Sequence, residues 1–295
     1  MATPHRQHSS PGPRLYVWNR NLLHLPTLAA QPAPHRVFQD KLLISLDGFL
    51  TIVVDGQRLS TRSCLVPAGH WHDTSTVDSR DAVTATWLLQ PLSQDHPALV
   101  SLMSSAGNGL YYNHPEETRL IRELLDARDA PNPASDRIRQ QMHRCLFPDT
   151  LASKVFRVYD PRVIRVVREL QRTASMNMPL ERFATDVGLS ASYLEKLFKE
   201  QTGLPVTQYR LRYRIYVASI LLGMGYSITD AAHKAGFSSS SHFSRTFRTL
   251  TGETASKTFF KSGTETLIDQ RALKSVLQVI RDVPASGGRP QVVSE

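Results

Sequence analysis

The sequence predicts an α+β fold: an N-terminal β-barrel with flanking helices, then an all-α domain in which two helix-turn-helix motifs are joined by a long helix. Three observations predict it. Short β-favouring runs separated by Asp-Gly turns fill residues 41–89, helical periodicity takes over after Pro91, and one pattern of small, glycine and serine residues occurs twice between 183 and 252.

With 295 residues the chain has room for roughly two domains, each burying its own core. Residues 1–13, rich in Pro, Ser and His, read as a disordered tail. The runs Lys41–Leu46 and Phe49–Val54 are each followed by Asp-Gly, a strong turn signal between strands. Ser63–Pro67 and Ala82–Leu89 continue the pattern, as in a small sandwich or barrel. Helical spacing of apolar residues then marks Asp95–Ser105, Pro115–Asp129 and Ser135–Leu146, helices that would cover the β domain or form a dimer interface. These elements make residues 14–150 a first domain, with 151–159 as linker. Asp160-Pro161 supplies a capping side chain and an N-terminal proline for a helix, and helix dominates to Phe260. Residues 264–282 are expected to add an amphipathic helix through Leu267, Leu273, Val276 and Ile280, and Pro284–Glu295 reads as disorder.

Residues 1–150 carry 14 basic and 14 acidic side chains, residues 151–295 carry 21 and 12, so the whole net charge of +9 sits in the second half. Such asymmetry suits a polyanionic partner, a nucleic acid or an anionic membrane surface. No apolar run approaches the ~20 residues that cross a bilayer, and the N-terminal MATPHRQHSSPGP lacks a signal-peptide core, so a cytoplasmic, membrane-free protein is expected. Cys64 and Cys145 stand far apart, outside any CxxC or Cys/His cluster, and read as reduced thiols.

The repeat lies in the basic half. Ala184, Gly188, Leu189 and Ser190 recur 48 residues later as Ala232, Gly236, Phe237 and Ser238. Beyond the serines the offset becomes 49, pairing Leu194 with Phe243, Phe198 with Phe247 and Gly203 with Gly252, so the second turn has gained one residue. A small Ala lets two helices cross closely, Gly carries the backbone through the turn, and Ser caps the second helix. Pro205–Leu222 between the units, helical throughout, would be a rod about 27 Å long. That length holds two recognition helices about one DNA turn apart, roughly 34 Å.

Residues 178–252 resemble the DNA-binding domain of the AraC/XylS family of transcription regulators. The resemblance rests on Leu180, Ala184, Gly188-Leu189-Ser190, Tyr193-Leu194, Leu197-Phe198-Lys199 and Gly203, then Tyr209, Arg214, Ala218 and Leu222 on the rod. In the second unit it rests on Ile228, Ala231-Ala232, Gly236-Phe237, Ser241-His242-Phe243-Ser244-Arg245, Phe247-Arg248 and Gly252. About 100 residues, 160–262, are covered; after Gly252 the chain departs from the family's Ser/Thr-Pro helix start with Glu253-Thr254-Ala255-Ser256. The resemblance implies a DNA-binding regulator whose partners are double-stranded promoter or operator DNA, RNA polymerase for activation, and a second copy of the chain. Base or groove contacts are implied at Ser192, Glu195, Lys196, Ser240, Ser241, Ser244 and Arg245. Arginine pairs bidentately with guanine and Glu accepts from cytosine N4, while Lys196, Lys199 and Arg248 suit phosphates. Arg210, Arg212 and Arg214 alternate faces, so at least one is structural; Arg214 is the candidate for an internal ion pair.

The front half resembles cupin-like sensor domains through Leu42, Leu46-Asp47-Gly48, Val53-Val54-Asp55-Gly56 and Leu65–His72, which implies a small-molecule effector pocket inside a barrel. His35, His70 and His72 invite a metal reading, with His70 and His72 projecting to one side of a strand; no carboxylate follows at the spacing of metal-binding cupins. The favoured assignment has no metal and no cofactor, the histidines capping a loop or lining a pocket with Trp71 and Trp87. Two rivals remain at this stage: a metal-dependent cupin enzyme with an appended DNA-binding domain, and a DNA binder indifferent to sequence.

Overall fold

A computed structural model describes residues 12–280 except 20, 31, 132 and 152. The predicted disorder of residues 1–11 and of Pro284–Glu295 lies outside them. The strands are β1 (Arg14–Val17), β2 (Leu22–Leu25), β3 (His35–Arg36), β4 (Lys41–Asp47), β5 (Leu50–Val54), β6 (Gln57–Thr61), β7 (Ser63–Val66), β8 (Trp71–His72), β9 (Val77–Asp78), β10 (Val83–Leu88), β11 (Ser104–Ser105), β12 (Tyr111–Tyr112) and β13 (Glu265–Ile268). The helices are α1 (Asp95–Leu102), α2 (Glu117–Asp129), α3 (Ser135–Leu146), α4 (Pro161–Arg172), α5 (Leu180–Asp186), α6 (Ala191–Thr202), α7 (Val206–Gly223), α8 (Ile228–Lys234), α9 (Ser240–Thr251) and α10 (Gln270–Ile280). The fold is α+β, a mixed β domain followed by a helical domain.

An eight-stranded sheet, β11-β12-β7-β4-β10-β2-β1-β13, faces the smaller sheets β3-β8 and β6-β5-β9. Strand alternation decides what each face of the large sheet meets. Leu42, Ile44 and Leu46 of β4, with Ala85 and Trp87 of β10, point into a core shared with Trp18 and with α2 and α3. Leu43 points the other way, joining Leu50 and Ile52 of the small sheet and Val66. Both Asp-Gly pairs form the expected turns, with Gly48 at φ +76° and Gly56 at φ +79°.

Two regions depart from the sequence reading. The strands β1 and β2 have no Asp-Gly punctuation, yet they pair antiparallel from Arg14–Leu25 to Val17–Leu22 because Trp18 N–H closes a turn on Asn21 O. Residues 264–282 do not form one helix: Glu265–Ile268 is a strand, and only Gln270–Ile280 is helical. The physical cause is an open strand edge. Extended, the segment pairs parallel with β1, Arg14 meets Glu265 at 2.9 Å, Leu267 packs on the β-domain core and Ile268 packs beside α7. Asp269 then starts α10 by accepting from Ala272 N. The C-terminal segment thus returns to the first domain and ties it to the second.

The helical domain opens as its sequence requires, with Asp160 accepting from Arg162 N–H at 2.9 Å ahead of Pro161. It holds two cores. Val163, Leu170, Phe183, Ala184, Leu194 and Phe198 gather around Val206 and Tyr209, the start of α7; Phe237, Phe243 and Phe247 gather around Val217 through Leu222, its end.

Candidate nucleic-acid interface and interdomain cavity

Each helix-turn-helix unit is built from α5–α6 or α8–α9, packed through Ala184 and Ala232, which are 2% and 0% exposed. The turns need glycine: Gly188 has φ +66° and Gly236 φ +91°, left-handed backbone that costs other L-residues roughly 1–2 kcal/mol. Ser190 caps α6, accepting from Tyr193 N–H. The matching cap of α9 is Ser239, accepting from His242 N–H, and not the expected Ser238, whose hydroxyl meets His242 Nδ1 at 3.1 Å. The residue gained in the second turn therefore falls at the cap.

On both recognition helices the apolar side is buried, except that Tyr193 of α6 is 49% exposed. Leu194, Phe198 and Phe243 are 0% exposed and Phe247 4%. The opposite side faces solvent: Ser192, Lys196, Lys199, Ser241, Ser244, Arg245 and Arg248 are exposed, and Glu195 and Ser240 are half-buried. Among the described residues none of Lys196, Lys199, Arg245 and Arg248 sits in an ion pair. Their side chains are exposed and open to an anion.

Between the units α7 runs 18 residues, about 27 Å at the usual rise. Its N-terminal half carries Tyr209, whose ring meets Phe198 edge-on at 5.4 Å. Its arginines are structural. Arg214 is 5% exposed and donates to Ala174 O, Met176 O and Asn177 Oδ1, so the expected ion pair is replaced by carbonyls beyond the end of α4. Three oxygens there already accept the fork, which removes the need for a carboxylate. Burial and neighbouring Arg210 push the Arg214 pKa down to about 10. Arg210 donates to Met178 O and lies over Phe183, while Arg212, 6% exposed, lies 4.2 Å from the Tyr209 ring centre.

A cavity of about 230 Å³ lies where the two domains meet, walled by β2, β3, β4 and β10 on one side and by α7 and α9 on the other. His35 and His72 line it. Between them sits a residue absent from the sequence assignment, Lys41, whose Nζ is 2.6 Å from His72 Nδ1 and 3.3 Å from His35 Nε2. The Lys41 side chain thus occupies the point on which both imidazoles converge. Burial pushes Lys41 down to about 7; burial and the Lys41 charge push His35 down to about 4 and His72 to about 2.

The other three expected pocket residues are elsewhere. Only Trp71 and His72 form β8, so His70 belongs to the preceding turn and strand alternation does not align it with His72. Trp71 is 47% exposed and donates to Asp73 Oδ2. Trp87 packs against Trp18 at 5.5 Å, the rings tilted by 39°, in the core on the opposite face of β10, whose Thr84, Thr86 and Leu88 line the cavity. A one-residue difference in strand parity decides which side of the sheet a residue serves. Lys41 was legible as the one cation heading an apolar run, Lys-Leu-Leu-Ile-Ser-Leu.

Residues 183–260 match the model of a helix-turn-helix domain. The chain is 32% identical over 134 residues to the HTH-type transcriptional regulator RipA of Corynebacterium glutamicum, covering 41% of this chain but only 40% of that one. It is 25% identical over 235 residues to the HTH-type transcriptional activator RhaS of Salmonella schwarzengrund, covering 75% of this chain and 84% of the relative. In fold it is similar to apo ToxT K231A from Vibrio cholerae, with TM-score 0.54 and 14% identity over 81% of this chain and 96% of that one. No described helix is long and apolar enough to cross a membrane.

Proposed function

Because this chain belongs to the AraC/XylS family, we propose that it is a sequence-specific transcription regulator that seats α6 and α9 in successive major-groove segments of one DNA duplex. The observation that carries this reading is the two-sidedness of both helices: aromatic and aliphatic residues locked inside, with serines and unpaired cations outside at matching positions. In this reading Arg245 pairs with guanine, Glu195 accepts from cytosine N4, and Ser192, Ser240, Ser241 and Ser244 meet bases or phosphates. Lys196, Lys199 and Arg248 hold phosphates and fix the register.

Residues 14–150 act as the sensor and dimerisation domain, 151–159 as linker, 160–262 as the DNA-binding domain and 263–295 as an extension whose first strand joins the sensor sheet. A small-molecule effector in the interdomain cavity regulates DNA binding; a second copy of the chain and RNA polymerase are its protein partners, in the cytoplasm. The enzyme alternative gains no support, since His35 and His72 converge on Lys41.

Genome-wide mapping of bound sites followed by titration of the purified protein on the recovered sequences tests the reading. A shared motif bound roughly 10³-fold or more tighter than scrambled DNA supports it. Binding indifferent to sequence, with only a salt dependence, contradicts it.

A further inference from the structure

The interdomain cavity holds an amine that DNA recognition leaves unused. Lys41 lines the cavity and is 6% exposed. Among the described residues no carboxylate pairs with it. Burying an ammonium without an opposite charge is costly, and burying a neutral amine is far less so. Burial accordingly brings the Lys41 pKa to about 7, where the amine is half neutral. Two neighbours fix what the neutral form presents. His35 Nδ1 donates to Ala33 O at 2.8 Å, so its Nε2, 3.3 Å from Lys41 Nζ, is an acceptor. His72 is bound to the Val77 backbone, which leaves its Nδ1, 2.6 Å from Nζ, as an acceptor too. A neutral amine has two hydrogens and one lone pair. Both hydrogens go to the imidazoles, and the lone pair is left for an electrophile. The walls around it are apolar and partly aromatic, with Leu43, Ile215, Tyr216, Phe247 and Phe259. Leu28, which is 77% exposed, belongs to the same lining, so the cavity opens to solvent.

We infer that the cavity captures an apolar aldehyde, its body against Ile215, Tyr216 and Phe247 and its carbonyl carbon bound to Lys41 Nζ as a reversible Schiff base. The inference deepens the effector reading above and rests on it, by naming a chemical class for the effector. A lysine desolvated in an apolar pocket is an activated nucleophile toward carbonyl compounds. The Nζ lone pair attacks the carbonyl carbon, a C–N bond forms, and the C=O π pair moves to oxygen. The two nitrogen hydrogens, held at the start by His35 and His72, leave with that oxygen as water. Aldehyde and amine give imine and water, so no oxidant, reductant or further reactant is needed. The titratable groups beside Lys41 and along the cavity do not compete for the aldehyde. His24 and His35 are each pushed down to about 4 and His72 to about 2, so all three stay neutral, and the Cys64 thiol is pushed up to about 12. The charged side chains of the lining are engaged, Arg212 by Tyr209 and Asp40, and Glu253 by Lys257.

The test is reductive trapping of the full chain with equimolar para-ethylbenzaldehyde and cyanoborohydride, which reduces the imine and fixes it, read by intact mass and peptide mapping. Among the eight lysines of the sequence, Lys41 is expected to take the label at pH 7 at least about tenfold faster than exposed Lys199. Between pH 8 and pH 9 that ratio should fall about tenfold, because ordinary lysines gain neutral amine while Lys41 has already lost its proton. Para-ethylbenzyl alcohol, with the same body and no carbonyl, should slow the trapping, and concentrated urea should abolish the preference. Lys41→Met should leave only slow labelling spread over the other lysines. No preference for Lys41 in the folded chain, a preference that survives urea, or undiminished labelling of folded Lys41→Met overturns the inference. Titrating the untreated protein on its DNA site separates the two claims: sequence-specific DNA binding without Lys41 trapping sinks this inference alone, and Lys41 trapping without sequence-specific binding sinks the regulator reading.

Discussion

At the end of the first recognition helix Gly203 is exposed, and a Cβ built there would meet nothing within 4 Å; at the end of the second, Gly252 is buried, and a Cβ would come within 2.6 Å of Ala33 O and 2.9 Å of His35 Nδ1. The same contrast holds at the turns. Gly188 has open space, whereas a Cβ on Gly236 would strike Ser175 O at 2.6 Å. The units share one local plan and differ in what surrounds them. The second is seated on the β domain through Ala33 N–H to Gly252 O at 3.1 Å and shares its core with Ala272, Val276 and Val279 of α10. The first makes its core with α4 and the start of α7. The second recognition helix is thus tied to the β domain through β3 and the cavity wall, whereas the first unit meets that domain through Leu92.

The largest effect that would sharpen this contrast is steric. Gly252→Ala is expected to lower stability by about 2–5 kcal/mol, left-handed strain plus overpacking, whereas Gly203→Ala, at almost the same φ, loses about 1–2 kcal/mol from strain alone. Urea denaturation of both variants checks it, and equal losses would erase the distinction between the ends.

Next comes DNA affinity. Arg245→Ala is expected to weaken specific binding by ~1–3 kcal/mol and relax discrimination at one base pair, read by titration across single-base operator variants. An unchanged preference at every position would remove Arg245 from base readout.

Lys41 gives a pH test on the side of the second unit. Its folded pKa, about 7, lies below the unfolded value, so above pH 7 the unfolded chain holds the proton that the native chain has released. Stability of the ligand-free protein should therefore rise between about pH 7 and pH 9, by up to about 1.4 kcal/mol per unit, and Lys41→Met should flatten that rise. A slope that survives the substitution would place its origin elsewhere. The smallest effect belongs to the first unit, where Lys199→Ala should weaken binding about equally on all sequences and reduce the salt slope by about 1, measured by titration in rising salt.

Local signals were legible in the sequence and long-range ones were not. The doubled Ala-Gly-Ser pattern, its change of offset from 48 to 49, and the Asp-Gly turns each state a requirement that a few adjacent residues satisfy by themselves. The offset even located the added residue, though not that it would hand the cap to Ser239. By contrast β13 exists because β1, 251 residues away at the Arg14–Glu265 bond, leaves an edge unpaired, and nothing within Glu265–Ile268 announces that partner. The cavity was half visible. His35 and His72 were found by residue type, Trp87 was assigned to the wrong face of β10, and Lys41 escaped because a lone cation in an apolar run signifies a site only once the opposing wall is known.

The central claim is that two helices on one rod enter neighbouring major-groove segments of the same duplex, and hydroxyl-radical footprinting of the full chain on its mapped site tests it most directly. Protection is predicted in two patches on one face of the DNA, centred about 10 base pairs apart, with the patch at the second unit sensitive to Arg245→Ala. A single patch, or protection spread evenly over the fragment, would contradict the account.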